Sequence, residues 1–149
     1  ETFLNNVANS VVKDGSAYSA IKMAVPADYF KQTEDEFSAY TKTLDPSDEA
    51  YGMTFEQFID ALLSAQIKSI TNSVQSIKIS VADLSDCKSK LTADQKQMYA
   101  SCGDIAKAYI AKIKSDVTFK PGADTSGYNT DDLGKITVVN AGGNWYIAG

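Results

Sequence analysis

Apolar residues in the first half of the chain recur every three or four positions, which is the spacing of one face of an α-helix. The first such stripe consists of Phe3, Leu4, Val7, Ala8 and Val11. Gly15 ends this helix, and a second helix runs to Pro26, where a third begins because proline suits the first helical turn. Thr33 and Glu36 have the spacing of a capping box, so we expect the third helix to break near Gln32 and restart.

The fourth predicted helix, over residues 54–71, has the widest apolar face. This face consists of Phe55, Phe58, Ile59, Leu62, Leu63, Ile67 and Ile70. A turn-rich loop over residues 45–52 precedes the helix, and Thr54 with Gln57 forms a capping box at its start. We predict that this helix is central to the core. Truncating Leu62 or Leu63 to alanine should therefore cost about 2–5 kcal/mol.

Beyond Asn72 the pattern changes to an alternation of apolar and polar residues, which is typical of strands with one buried face. We predict an antiparallel sheet with one face buried and the other wet. The residues expected on the buried face are Ile77, Ile79, Tyr109, Ile113 and Val117. The lysines expected on the wet face are Lys78, Lys112 and Lys114.

Four strands are predicted in the second half of the chain. A short helix that Thr92 and Gln95 cap lies between the strand at 77–81 and a long strand at 109–119. After a loop over 121–134, strands at 136–139 and 145–147 flank a glycine turn. Segregated helices and hairpin-connected strands define the α+β class rather than α/β. We predict one domain over residues 1–149, with N-terminal helices (about 1–72) packed on a curved antiparallel sheet of about four strands (about 73–149).

The composition narrows the chemistry. The chain has 14 lysines, 19 acidic residues, no histidine and no arginine. The absence of histidine excludes Ser-His-Asp catalysis and His-ligated metals, and the absence of arginine excludes bidentate phosphate clamps. The net charge of −5 argues against a nucleic-acid partner, because phosphate neutralisation needs a basic surface. The sequence therefore predicts neither a metal nor a cofactor, and no binding to nucleic acid.

Several segments, in this order, resemble a known family. They are Ile-Lys-Ile-Ser-Val (77–81), Leu-Thr-Ala-Asp-Gln (91–95), Tyr-Ile-Ala-Lys-Ile-Lys (109–114) and the hairpin Ile-Thr-Val-Val-Asn…Gly-Asn-Trp-Tyr-Ile (136–147). The chain resembles the NTF2-like, or cystatin-like, domains of bacterial lipoproteins of unknown function, although Asn144 stands where their hairpin usually has lysine. The resemblance implies a cone-shaped sheet wrapped by helices, with a pocket inside. It also implies a cell-surface protein outside the cytoplasm. We expect its only link to the membrane to be an N-terminal lipid anchor, removed with the residues before Glu1. The resemblance supplies no catalytic residues.

Aromatic residues indicate where a ligand would bind. We take Tyr109 and Trp145 as candidate pocket residues, because aromatic side chains with polar tips suit small molecules and glycans. Ile113, on the same strand face as Tyr109, is the third candidate. The alternative is that they fill the core between helices and sheet. We expect a non-catalytic extracytoplasmic binding or interaction module, whose partner is a small molecule, a glycan or a protein. The alternative function is a small NTF2-like enzyme that uses an Asp/Tyr pair in the pocket of the cone.

The two cysteines, Cys87 and Cys102, flank the short helix that Thr92 begins. A strand–helix excursion that folds back would bring its two ends together. The implied export supplies the oxidising setting that a disulfide needs. We therefore predict a Cys87–Cys102 disulfide, with two unpaired thiols as the alternative.

Overall fold

The computed structural model describes residues 1–126, 128 and 134–148, and in this part of the chain it has the predicted α+β fold. The helices are α1 (Thr2–Asp14), α2 (Ala17–Ala24), α3 (Ala27–Thr41), α4 (Phe55–Leu62), α5 (Ser64–Ser73) and α6 (Ala93–Met98). The strands are β1 (Val74–Asp86), β2 (Ile105–Phe119), β3 (Gly134–Ala141) and β4 (Asn144–Ala148). Part of the predicted loop over 121–134 lies outside the described residues.

Several predicted helix ends are confirmed. Gly15 adopts the left-handed conformation (φ 64°) and ends α1, and two of the three predicted capping boxes, Thr54/Gln57 and Thr92/Gln95, are formed. The predicted break near Gln32 is wrong, because α3 runs unbroken from Ala27 to Thr41. The Thr33 hydroxyl donates to the carbonyl of Tyr29 at 3.0 Å, one turn earlier, so it bonds within the helix instead of capping a new one.

The predicted single helix over 54–71 is also wrong. It breaks at Leu63, whose φ and ψ of −104° and 11° are not helical, and continues as α5. The break divides the apolar stripe: Ile67 on α5 is buried, whereas Leu62 is 63% exposed. No residue of α4 is fully buried. The α4 half of the predicted core helix is therefore peripheral, whereas α5 contributes Ile67 to the core.

The sheet carries the core instead. Its order is β1-β2-β3-β4, with every neighbouring pair antiparallel, and it is curled. The predicted faces are confirmed. Ile79 and Ile113 are buried, and Ile77, Tyr109 and Val117 are half-buried. The lysines on the opposite face, Lys78, Lys112 and Lys114, are exposed.

Part of the outer face is covered as well. The connection between β1 and β2, which includes α6, packs Tyr99 against Ala108 and Val139, and all three are fully buried. The Tyr99 hydroxyl donates to the carbonyl of Ile147 at 3.2 Å, and burial raises the pKa of Tyr99 to about 12. Neighbouring residues on a strand point to opposite faces. Hence Val138 packs in the core under α1, and Val139 packs in this second core.

The predicted disulfide is absent, because Cys87 and Cys102 are both free thiols. Cys87 is buried in the second core, where burial raises the pKa of its thiol. Cys102 is half-buried at the edge of that core, and its Sγ lies 3.6 Å from the hydroxyl of Tyr146. The connection does fold back, but each cysteine side chain packs as an apolar group with a weak S–H donor.

Candidate functional site: a pocket between the first helix and the sheet

Helix α1 is held against the free edge of β1 by its own side chains. The amide of Asn9 donates to the carbonyl of Ile77 at 2.6 Å and accepts from its N–H at 2.9 Å. Asn5 makes the same pair of bonds to Ile79. The carboxylate of Glu1 accepts from the N–H of Val81 at 2.9 Å. These bonds fix where the first turn of α1 lies over the sheet.

A cavity of about 260 Å³ lies between this first turn and the inner face of the sheet. Its inner wall contains Ala111 and Val138, from the two central strands. Tyr109 and Trp145 also belong to the lining on the side of the sheet, and Phe3 belongs to it on the side of α1. The lining is therefore mostly apolar and aromatic.

The sheet register brings the two aromatic side chains together. Tyr109 on β2 pairs with Val138 on β3, which pairs with Ile147 on β4. Trp145 comes two residues before Ile147, so its side chain is on the same face. The two rings stack, with centroids 6.3 Å apart and planes at 27°.

Ala111 is the smallest side chain of the described lining. It is fully buried between Tyr109 and Ile113 on the inner face of β2, and its side chain is a single methyl group. Because Ala111 belongs to the wall of the cavity, a larger side chain at this position would extend toward that space.

The three candidate pocket residues do not all meet at this cavity. Tyr109 and Trp145 line it, but Ile113 lies outside the lining, buried in the core with Leu4 and Ile79. The prediction for Ile113 as a pocket residue is therefore wrong, because its side chain packs with Leu4 and Ile79 instead of facing the cavity. Sequence reasoning also missed Ala111; a small residue between two large ones on a buried face was the available signal.

Besides the polar tips of Tyr109 and Trp145, the pocket lining includes polar side chains at the start of α1. They are those of Glu1 and Thr2. The Glu1 carboxylate is engaged with the backbone of β1, as described above. Tyr109 is the tyrosine of the lining, and the acid that accompanies it there is a glutamate rather than the aspartate that the enzyme alternative requires. The lining therefore offers contact surface, with few groups that could transfer a proton.

Within residues 1–126, 128 and 134–148, no three His, Cys, Asp or Glu side chains come together as a metal-binding group. No helix in the described part of the chain is long and apolar enough to cross a membrane.

Comparisons of the chain with protein-family models, with curated proteins and with solved structures return no match. The resemblance to NTF2-like domains thus stays a prediction.

Proposed function

We propose that this protein is a non-catalytic binding module that holds a small, largely apolar ligand in the pocket under α1. The observation that carries the proposal is the stacked pair of Tyr109 and Trp145 beside an unfilled space of about 260 Å³. A dry apolar cavity of about 150 Å³ already binds benzene, so this space has room for a six-carbon apolar group. Burial of that group against the two rings supplies the affinity.

The composition of the lining favours binding over catalysis. An enzyme of the alternative kind needs a carboxyl group with a perturbed pKa facing a tyrosine in a water-excluded site. In the described lining, the acid is Glu1, whose carboxylate hydrogen-bonds to the N–H of Val81 at the edge of the sheet. This arrangement supports a structural role for Glu1, so only the binding function is put forward.

The proposed setting is extracytoplasmic, with the protein tethered through a lipid. It rests on the resemblance to NTF2-like lipoprotein domains, which share the order of helices, strand, short helix and three strands. Cys87 and Cys102 add no support to this location, because they are free thiols and not a disulfide.

Trp145 makes the binding proposal directly testable. It is the single tryptophan of the chain, so tryptophan fluorescence reports on the wall of the pocket. We expect 1-hexanol to shift the Trp145 emission saturably, with a matching heat of binding in calorimetry. A linear, non-saturable response in the intact protein would contradict the proposal.

A cavity-filling variant provides the control. Ala111→Leu places a larger side chain in the space and should abolish hexanol binding. Ala39→Leu, at an exposed position of α3, makes the same change away from the pocket and should leave binding intact. If circular dichroism shows that Ala111→Leu is unfolded, Ala111→Val makes a smaller insertion. Unchanged hexanol binding in the folded Ala111 variant would overturn the proposal.

A further inference from the structure

A second and shallower cavity of about 520 Å³ adjoins the pocket. Thr2, Phe3 and Trp145 line both cavities, so the two spaces share part of their walls. The second cavity, called the groove below, runs between the start of α1, the end of α2 and the turn that joins β3 to β4. A ligand that fills the pocket and is longer than the pocket would continue into the groove.

The groove is more polar than the pocket. Its lining includes the amide side chains of Asn6 and Asn144 and the ammonium group of Lys22. An amide side chain has both N–H donors and a carbonyl acceptor. Asn144 is also engaged with the hydroxyl of Tyr146, another group that can donate and accept. The groove therefore matches ligand groups that both donate and accept hydrogen bonds, as hydroxyl groups do.

We propose that the pocket and the groove form one site for an uncharged amphipathic glycoside. Its short apolar aglycone enters beside Tyr109 and Trp145, and its hydroxyl-rich sugar lies in the groove against Asn6 and Asn144. This inference rests on the proposed function and names the class of ligand. Trp145, which lines both spaces, contacts both parts of the molecule.

The charges around the site disfavour an anionic head group. Lys22 is the cation of the described groove lining, and its Nζ lies 5.7 Å from the centroid of the Tyr18 ring, an interaction that already engages the ammonium group. Glu1 places a carboxylate at the adjoining pocket, and the whole chain carries a net charge of −5. Locally, the Glu1 carboxylate offsets the Lys22 ammonium group, so an anionic head gains no net attraction at the site and meets the negative charge of the chain, whereas a neutral sugar needs no charge partner.

Three probes with the same apolar part separate the alternatives. They are 1-hexanol, hexyl β-glucoside and hexanoate, each used below its micelle-forming concentration and followed by Trp145 fluorescence and calorimetry. We expect hexyl β-glucoside to bind about tenfold more tightly than 1-hexanol, which corresponds to one or two added hydrogen bonds. Hexanoate should bind no more tightly than 1-hexanol. Tighter binding of hexanoate than of the glucoside would overturn the glycoside proposal.

Asn6→Ala tests the head-group contact. Asn6 is exposed on α1, so the variant should fold. We expect it to lose most of the advantage of the glucoside, about fivefold or more, and to bind 1-hexanol unchanged. Asn72→Ala, at an exposed position of α5, is the matched control and should bind all three probes as the parent does.

The two proposals fail in different ways. Equal affinities for hexanol and glucoside, unaffected by Asn6→Ala, would refute the glycoside while leaving the pocket in place. Absence of saturable binding of every probe to the parent protein would refute the pocket, and the glycoside with it.

Discussion

The side-chain amide of Asn5 and the backbone of Ile79 exchange two hydrogen bonds, one of 2.8 Å from the amide to the carbonyl and one of 2.7 Å from the N–H to the amide oxygen. The amide thus takes the place of the peptide group of a neighbouring strand. Four helical residues rise about 6 Å and two strand residues rise about 6.6 Å, so the same relation can repeat from Asn5 to Asn9. Because β1 is an edge strand, this contact also covers backbone groups that would otherwise be open to another chain.

Replacing Asn5 should therefore cost much more than replacing its neighbour. Asn5→Ala leaves the N–H and the carbonyl of Ile79 without their partner, and we expect the free energy of unfolding to fall by about 1–3 kcal/mol. Asn6→Ala, one position on and exposed, should stay within about 0.5 kcal/mol of the parent. Urea denaturation measures both. Equal midpoints for the two variants would show that the amide contact does not stabilise the fold.

Asp60 of α4 caps α2 from outside that helix. Its Oδ1 accepts from the hydroxyl of Ser16 at 3.0 Å and from the N–H of Ala17 at 3.2 Å, and the N-cap residue Ser16 makes no side-chain cap of its own. We expect Asp60→Ala to lower the free energy of unfolding by about 1 kcal/mol, as for loss of an N-cap. Asp60→Asn keeps an acceptor oxygen and should lose less. An Asn variant as unstable as the Ala variant would show that the hydrogen bonds are not the cause.

The two glycines between β3 and β4 differ in their tolerance of a side chain. Both have positive φ, 56° at Gly142 and 84° at Gly143. A Cβ on Gly142 would lie 2.0 Å from the carbonyl oxygen of Cys102, whereas one on Gly143 would have no heavy atom within 4 Å. Both alanine variants share the backbone strain, but Gly142→Ala adds the clash and should cost about 1–3 kcal/mol more. Thermal denaturation that ranks the two variants equally would contradict this close approach.

Because the helix breaks at Leu63, Ile67 should contribute more to the stability of the protein than Leu62 does. Ile67 is 8% exposed and Leu62 is 63% exposed. Ile67→Ala should therefore lower the free energy of unfolding by about 2–5 kcal/mol. Leu62→Ala should change it by no more than about 0.5 kcal/mol. If urea denaturation shows a larger loss of stability for Leu62→Ala than for Ile67→Ala, the single continuous helix is supported instead.

The two thiols should react at different rates. Burial raises the pKa of Cys87, so at a given pH a smaller fraction of it is the reactive thiolate, and access is also restricted. We expect an alkylating reagent to modify Cys102 first in the native protein. Raising the pH through 8–9 should increase the rate at Cys87 later than in the unfolded chain, because its pKa lies above the ordinary value. Peptide mapping by mass spectrometry identifies the site.

The same experiment bears on the disulfide. In denaturant without reductant, intact mass should show that both thiols take up the reagent. If the protein takes up reagent only after reduction, the Cys87–Cys102 disulfide exists in solution, and the description of both cysteines as free thiols is wrong.

The sequence by itself was sufficient for the features that depend on a few neighbouring residues. The capping boxes at Thr54 and Thr92 and the helix end at Gly15 require only residues within one helical turn, so their spacing predicts them. The alternation in β1 and β2 also identified the buried face of the sheet, because a strand repeats every two residues. Hence Tyr109 was placed correctly on the inner face.

Tertiary structure decided whatever depended on the packing partner. A wide apolar stripe does not specify which part of it is covered, so the exposure of Leu62 and the break at Leu63 could not be predicted from residues 54–71. Whether Cys87 could pair with Cys102 depended on how the two side chains are placed in the folded protein. The spacing of the two residues along the chain does not determine this. Asn5 and Asn9 resemble solvated helical residues until β1, about 70 residues later, lies beside them. The position of the pocket likewise depends on where the contacts of Glu1, Asn5 and Asn9 with β1 hold α1 over the sheet.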